Sequence, residues 1–261
     1  MFEPVKHFKE KLLSGHLGVG CSITLTEPMV SEVLAPCTDF LWVDTEHSHL
    51  NAEHVVLHLL AARAHEVPVF VRVPDADVAS IKPILDIGVH GIVVPQMQSA
   101  AEARHVVETC RYAPVGKRGL GPRRASDFGK IELDEYLKAA NEHLFVSVQV
   151  ENANALAEID EIVSIEGLDS VVIGPVDLAH SLTHMTDIQH PKVVEAMQTI
   201  VDKTRAAGKF VGMGMGGDEA QARNAARMGV HWVQCGEDHQ FMYDAATELY
   251  GQIRGLQTDG T

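Results

Sequence analysis

Eight short, uninterrupted aliphatic runs punctuate this chain, and each but the last leads into a longer segment before the next begins. The runs cover 18–24, 40–44, 68–73, 91–94, 144–150, 170–174, 210–214 and 231–235. Most are rich in valine and isoleucine and do not alternate with polar residues. A strand that alternates buries one face; a strand that does not is covered on both, as in a parallel sheet flanked by helices. Between the runs, Val55, Val56, Leu59 and Leu60 share one helical side behind Asn51, and Val78, Ile81, Ile84 and Leu85 share another behind Asp77. Ser99 and Glu102 have the spacing of a capping box. Gly88, Gly208 and Gly229 fall just before strands, where a helix ends in a left-handed turn. Eight such units in series predict an α/β chain folded as one closed (β/α)₈ TIM barrel over 1–261. A helix over 4–14 would cover its floor, and 255–261 would form a frayed tail. An open doubly wound sheet is the rival architecture, but no G-x-G-x-x-G stands at a first strand–helix turn.

Charge and cysteine content narrow the partners. The chain has 261 residues and a formal net charge of −15. Such a surface repels nucleic acid phosphates and anionic membranes. It also repels a small organic acid at long range, so a site for one needs local positive charge from a metal or an arginine. Cys21, Cys37, Cys110 and Cys235 are widely spaced with no CxxC, the pattern of reduced cysteines in a cytoplasmic protein. No apolar stretch reaches the roughly 18 residues of a membrane span, and no leader pattern opens the chain. The expected partners are small molecules.

A barrel of this type works at the C-terminal ends of its strands. Asp44-Thr45-Glu46-His47 follows the second run, Arg72 ends the third, Pro95-Gln96 the fourth, Gln149-Val150-Glu151-Asn152 the fifth and Gly174-Pro175-Val176-Asp177 the sixth. Neighbouring parallel strands lie about 4.8 Å apart, so Glu151 and Asp177 can grip one divalent cation, Mg²⁺ or Mn²⁺ by the hardness of their oxygens. They can equally be ordinary helix-start acids. Arg72 can hydrogen-bond an oxygen that turns negative as a keto acid enolises, or form a salt bridge to Asp44 or Glu46. His47 beside Asp44 reads as an oriented acid–base pair, with His49 as competitor. His180 and His184 read as surface residues, and Met213, Met215 and Met228 as core filling. The basic, glycine-rich segment 116–130 reads as a mobile loop over the mouth or at a subunit contact.

The blocks WVDTEHSH, VRVPDADVASIKPILDIGVHGIVVPQMQSAAEAR, RYAPVGKRGLGP, VQVENANAL and LDSVVIGPVDLAHSL, in this order and spacing, resemble the HpcH/HpaI aldolases from about residue 18 to about 235. The resemblance implies a phosphoenolpyruvate/pyruvate-type barrel. It implies reversible cleavage of a 4-hydroxy-2-keto acid to an aldehyde and pyruvate, or an analogue such as hydroxypyruvate, through an enolate. It further implies a divalent ion (Mg²⁺, Mn²⁺ or Co²⁺) on Glu151 and Asp177, His47 as base supported by Asp44, and Arg72 on the pyruvyl oxygen. Gln149 would face the substrate, and the backbone at Gly174-Pro175 would receive the pyruvate carboxylate. A homo-oligomer is implied too, a hexamer with an exchanged helix. The chain departs from the family pattern at Thr45, often glycine, and at Ser48-His49, where proline is usual. Its loop after RGLG is shorter than in some members and lacks their Ala-Arg-Ala-rich stretch; in the family that loop helps shape the aldehyde pocket. Two further readings stay open: oxaloacetate decarboxylation through the same enolate, and a non-catalytic keto-acid-binding barrel, which predicts a degraded mouth.

Overall fold

A computed structural model describes residues 1–256. Its strands are β1 (Gly18–Ile23), β2 (Phe40–Asp44), β3 (Val69–Arg72), β4 (Gly91–Val94), β5 (Phe145–Val150), β6 (Ser170–Ile173), β7 (Phe210–Met215) and β8 (Trp232–Glu237). Each pairs in parallel with the next, and β8 pairs with β1, closing the barrel. Each aliphatic run is one strand, with ends within two residues of expectation. The helices are α1 (Glu3–Leu13), α2 (Met29–Leu34), α3 (Ala52–Arg63), α4 (Val78–Ile87), α5 (Ala100–Cys110) and α6 (Leu133–His143). They continue as α7 (Ala153–Ala157), α8 (Ile159–Val163), α9 (Pro175–Thr183), α10 (Pro191–Ala206), α11 (Glu219–Met228) and α12 (Asp238–Arg254). Of the expected tail, 257–261 lies outside the described residues.

Local signals placed the helix ends, though not always by the expected bonds. Asn51 caps α3 by accepting from the Glu53 and His54 N–H groups. Ser99 accepts the Glu102 N–H, but the Glu102 carboxylate turns to the Gln98 N–H at 2.7 Å, so half of the expected box forms. Asp77 stands at the N-cap of α4 without a side-chain bond. Gly88 and Gly229 end their helices at φ +90° and +98°, conformations that side-chain-bearing residues resist.

The barrel floor is aromatic. Phe40, Phe70, Phe145 and Trp232, from β2, β3, β5 and β8, meet with ring centroids 5.0–6.0 Å apart. Phe8 of α1 plugs them from below, edge-on to three of the rings. Rings of this size fit because glycines face them. A Cβ on Gly91 would come within 2.6 Å of the Phe70 ring, and one on Gly20 or Gly212 would collide with Phe40 or Trp232.

Around this floor one bonding pattern repeats four times. Asp39, His90, Asp169 and His231 each precede an even-numbered strand. Each donates its N–H to a carbonyl in the preceding strand, and its side chain accepts the N–H of that same residue: Val19, Val69, Val146 and Val211. The order Asp, His, Asp, His repeats between the two halves of the barrel. Three of the four also hold the chain that closes the floor. Lys11 and Lys9 of α1 reach Asp39 and Asp169 at 2.6 and 2.8 Å, and His90 Nε2 lies 3.1 Å from the Met1 carbonyl.

The segment 116–130 departs from its reading as a mobile loop over the mouth. It follows α5, which runs back from mouth to floor, so the segment lies at the floor end. Its polar residues are used there: buried Arg118 bonds Asp86 at 2.8 Å and covers the Tyr112 ring, and Arg124 donates to the Ile87 carbonyl. It does not shape the mouth of its own barrel.

Burial holds the His90 imidazole down at about 4, against an ordinary value near 6.5. Neutral His90 accepts from Val69 through Nδ1, which leaves Nε2–H to donate to Met1; a second ring proton would confront the Val69 N–H. Because the folded value is the lower one, the unfolded chain binds the proton first on acidification. Stability tied to His90 is intact above about pH 6.5 and is lost as pH falls toward 4, by about 3 kcal/mol at roughly 1.4 kcal/mol per unit. Denaturant titrations of wild type and His90→Asn between pH 7 and 4.5 should show a shallower acid loss in the variant; parallel curves would refute the assignment.

Candidate active site

At the opposite end the strands carry polar residues instead of rings. Asp44, the last residue of β2, is registered beside Arg72, the last of β3. Arg72 Nε donates to Asp44 Oδ1 at 3.0 Å and Nη2 to Oδ2 at 2.5 Å, a two-pronged pair. Its Nε also lies 3.2 Å from Glu46 Oε2, and its guanidinium covers the Trp42 ring at 5.4 Å. The departures from the family pattern at 45 and 48 serve this corner. Thr45 donates both its N–H and its hydroxyl to the Arg72 carbonyl, and Ser48 donates its hydroxyl to the Asp44 carbonyl.

His47 stands differently from the expected pair. The Asp44 carboxylate accepts the His47 main-chain N–H, and no bond joins it to the ring. Asp44 lies buried beside the guanidinium, whereas the imidazole is turned out toward solvent. The nearest carboxylate to the imidazole is Glu46, 3.6 Å from Nε2, and the ring is 65% exposed at the mouth. Burial, reinforced by Asp44 and Asp177 and opposed by Arg72, pushes the Glu46 carboxyl up to about 7. Glu46 is a participant that the residue types alone did not single out.

Glu151 continues β5 into the mouth. Its Oε1 accepts the Gln96 N–H at 2.7 Å, and its Oε2 accepts from Gln149 Nε2 at 2.9 Å. Gln96 adopts φ +60°, a left-handed conformation a glutamine rarely takes. Gly174 leaves room for the acid, since a Cβ there would collide with Glu151 Oε2. Gln149 is 3% exposed and its Oε1 has no hydrogen-bond partner. Asp177 sits in the first turn of α9, and Pro175 at the first helical position directs the next amides toward the same space.

His47, Arg72, Gln149, Glu151, Gly174, Pro175 and Asp177 all line one cavity of about 630 Å³. Burial, with Asp177 and Glu46 adding repulsion, pushes the Glu151 carboxyl up to about 7 against the pull of the Gln96 N–H. The one nearby guanidinium is committed to Asp44 and Glu46. A cation between Glu151 and Asp177 would relieve this repulsion, and two carboxylates with the remaining positions open suit a hard divalent ion. Among the described residues no group of three or more His, Cys, Asp or Glu side chains converges, so these two acids would be the protein's share. Among the described residues no lysine lines the cavity; Lys209 bonds the Ile165 and Leu168 carbonyls near the floor.

Residues 24–245 match the family described as HpcH/HpaI aldolase/citrate lyase. The hydroxypyruvate/pyruvate aldolase of Pseudomonas aeruginosa is 35% identical over 255 residues, 97% of this chain and 94% of that one. The 2-keto-3-deoxy-L-rhamnonate aldolase of Salmonella gallinarum is 33% identical over 257 residues, covering 97% and 95%. Among solved structures, an HpcH/HpaI aldolase/citrate lyase family protein from Burkholderia cenocepacia superposes with a TM-score of 0.88 at 31% identity, covering 95% of this chain and 99% of that one.

Replacing Arg72 by lysine keeps the charge and loses the planar fork. Arg72→Lys should lower the urea midpoint by an amount equivalent to roughly 1–3 kcal/mol, the usual cost of a buried partner left unsatisfied. A midpoint equal to that of wild type would show that the fork does not lock this corner.

Proposed function

The chain belongs to the HpcH/HpaI aldolase/citrate lyase family, and on that premise we propose that its mouth is the active site of a metal-dependent class II pyruvate aldolase, a carbon–carbon lyase. The observation that carries the reading is the meeting of two carboxylates, Glu151 and Asp177, one guanidinium and one exposed imidazole in a single cavity. Glu151 and Asp177 would hold a divalent ion, with Mg²⁺ or Mn²⁺ favoured by an all-oxygen set and Co²⁺ an alternative. When bound, such an ion supplies Lewis-acid polarisation of the keto acid's oxygens.

The chain's own groups do the rest. The first free amides of α9, beyond the Gly174-Pro175 corner, receive the substrate carboxylate. Arg72, fixed by Asp44 and Glu46, donates toward the keto oxygen, where negative charge accumulates. Gln149 aligns Glu151 through its amide and offers its unpaired oxygen to the substrate. In the cleavage direction His47 takes the proton of the C4 hydroxyl. The C4–O electrons form the aldehyde carbonyl as the C3–C4 bond breaks, and that bond's electrons pass into the enolate. His47 then returns the proton to C3, giving pyruvate. Asp44 serves this scheme by fixing Arg72 and the main chain at His47. These side chains stand together at one mouth, which counts against the degraded mouth of a non-catalytic barrel.

We also propose a homo-oligomer, the hexamer of the family reading. α12 leaves the barrel with Phe241, Met242, Tyr243, Leu249, Tyr250 and Ile253 exposed, an apolar surface suited to a second copy. The four cysteines are unpaired, which fits a cytoplasmic location. Light scattering on the eluted protein should give a mass several times 28.4 kDa; a monomer at micromolar concentration would overturn the oligomer.

Exchange of the pyruvate methyl protons in deuterated buffer tests the chemistry. Chelation should abolish exchange and Mg²⁺ or Mn²⁺ restore it, and His47→Ala should slow it by roughly 10²–10⁴. Full exchange after thorough chelation would sink the metal role, and an unimpaired His47→Ala the base assignment.

A further inference from the structure

The turn that follows β4 is tied to the turn that follows β5, the strand that delivers Glu151. Asn152 uses both ends of its amide. Its Oδ1 accepts the Ala155 N–H at 3.0 Å and caps α7, and its Nδ2 donates to the Met97 carbonyl at 2.7 Å. The Gln98 side chain donates through Nε2 to the Gln96 carbonyl at 2.8 Å, and its Oε1 accepts from Asn154 Nδ2 at 3.2 Å. The two carbonyls that follow the Gln96 N–H, those of Gln96 and Met97, are therefore both anchored by side chains.

What this clamp holds is a conformation that the chain resists. Gln96 stands at φ +60°, where its Cβ crowds the following carbonyl. In that conformation its N–H reaches Glu151 Oε1 at 2.7 Å, while Gln149 Nε2 reaches Oε2 at 2.9 Å. One donor on each oxygen fixes the plane of the carboxylate and leaves each oxygen a lone pair for a cation. The Gln96 side chain is exposed and does not line the cavity, so position 96 acts on the mouth through its main chain. Strain of this kind persists only where the surroundings over-determine it. Relaxation of Gln96 to a negative φ would turn its N–H away from Glu151 and leave the carboxylate held at one oxygen.

We infer that Asn152 and Gln98 are positioning residues for the cation: they hold the left-handed turn at Gln96 whose N–H orients Glu151. The inference rests on the reading of Glu151 as a metal ligand and adds the part of the chain that sets how tightly the ion is held. Mn²⁺ would be titrated into the intact, chelator-treated protein and followed by the paramagnetic resonance signal of the free ion, the relevant site being the one lost in Glu151→Gln. Asn152→Ser keeps an oxygen for the Ala155 N–H and is too short to reach the Met97 carbonyl. It should weaken this site by about tenfold, the lower range for loss of a ligand's orienting partner. Gln98→Met, at an exposed position, should weaken it in the same sense and serves if Asn152→Ser folds poorly. Glycine takes the left-handed turn without crowding, so Gln96→Gly should bind Mn²⁺ as wild type does. On that background Asn152→Ser should lose no more than about threefold, a coupling expected of residues in one network. An equal loss on both backgrounds would overturn the inference, as would a Glu151-dependent site unmoved by both Asn152→Ser and Gln98→Met. A wild-type protein with no Glu151-dependent Mn²⁺ site would instead sink the metal reading beneath it.

Discussion

Arg72 is held from three sides, by both oxygens of Asp44, by Glu46 and by the face of Trp42, and the rest of the mouth is arranged around that commitment. A guanidinium paired with two acids fixes the ends of β2 and β3 and forms its ion pairs with neither Glu151 nor Asp177. A buried carboxylate with a second acid nearby is costly to ionise. The same pairing therefore rigidifies one half of the mouth and leaves the other half with an electrostatic demand that a divalent ion would meet. It also places Asp44, which lies beside the guanidinium and holds the His47 main chain rather than its imidazole.

Stability and chemistry occupy opposite ends of the barrel. The floor is closed by stacked rings, by glycines that make room for them and by four repeated Asp or His clasps, three of which also anchor the N-terminal segment. The mouth tolerates a left-handed glutamine, an orphaned amide oxygen and crowded acids. Such features are expensive and persist only where the surrounding structure holds them. The division explains how one chain can be firm as a scaffold and strained at its site.

Much of this was legible along the chain. Non-alternating aliphatic runs give parallel strands because both faces are covered, and the strand order followed from their succession. Asn51 and the left-handed glycines were readable because helix ends are set by neighbouring residues. Glu151, Asp177, Arg72, His47 and Gln149, which the structure brings to one cavity, were all picked by their place at strand ends. Two things were not legible. Segment 116–130 has loop-like composition, yet Arg118 is buried against Asp86, a partner remote in sequence, as well as against the nearby Tyr112 ring. Glu46 looked like one acid among several until burial singled it out.

The sequence by itself determined the barrel, its strand order and the end at which the polar residues gather, because hydrophobic period and strand-end position are properties of local stretches. Tertiary structure alone decided which acid holds Arg72 and which stands nearest His47. Those outcomes turn on competition between neighbouring acids for one guanidinium that lies 28 positions from Asp44, and spacing along the chain does not rank the competitors.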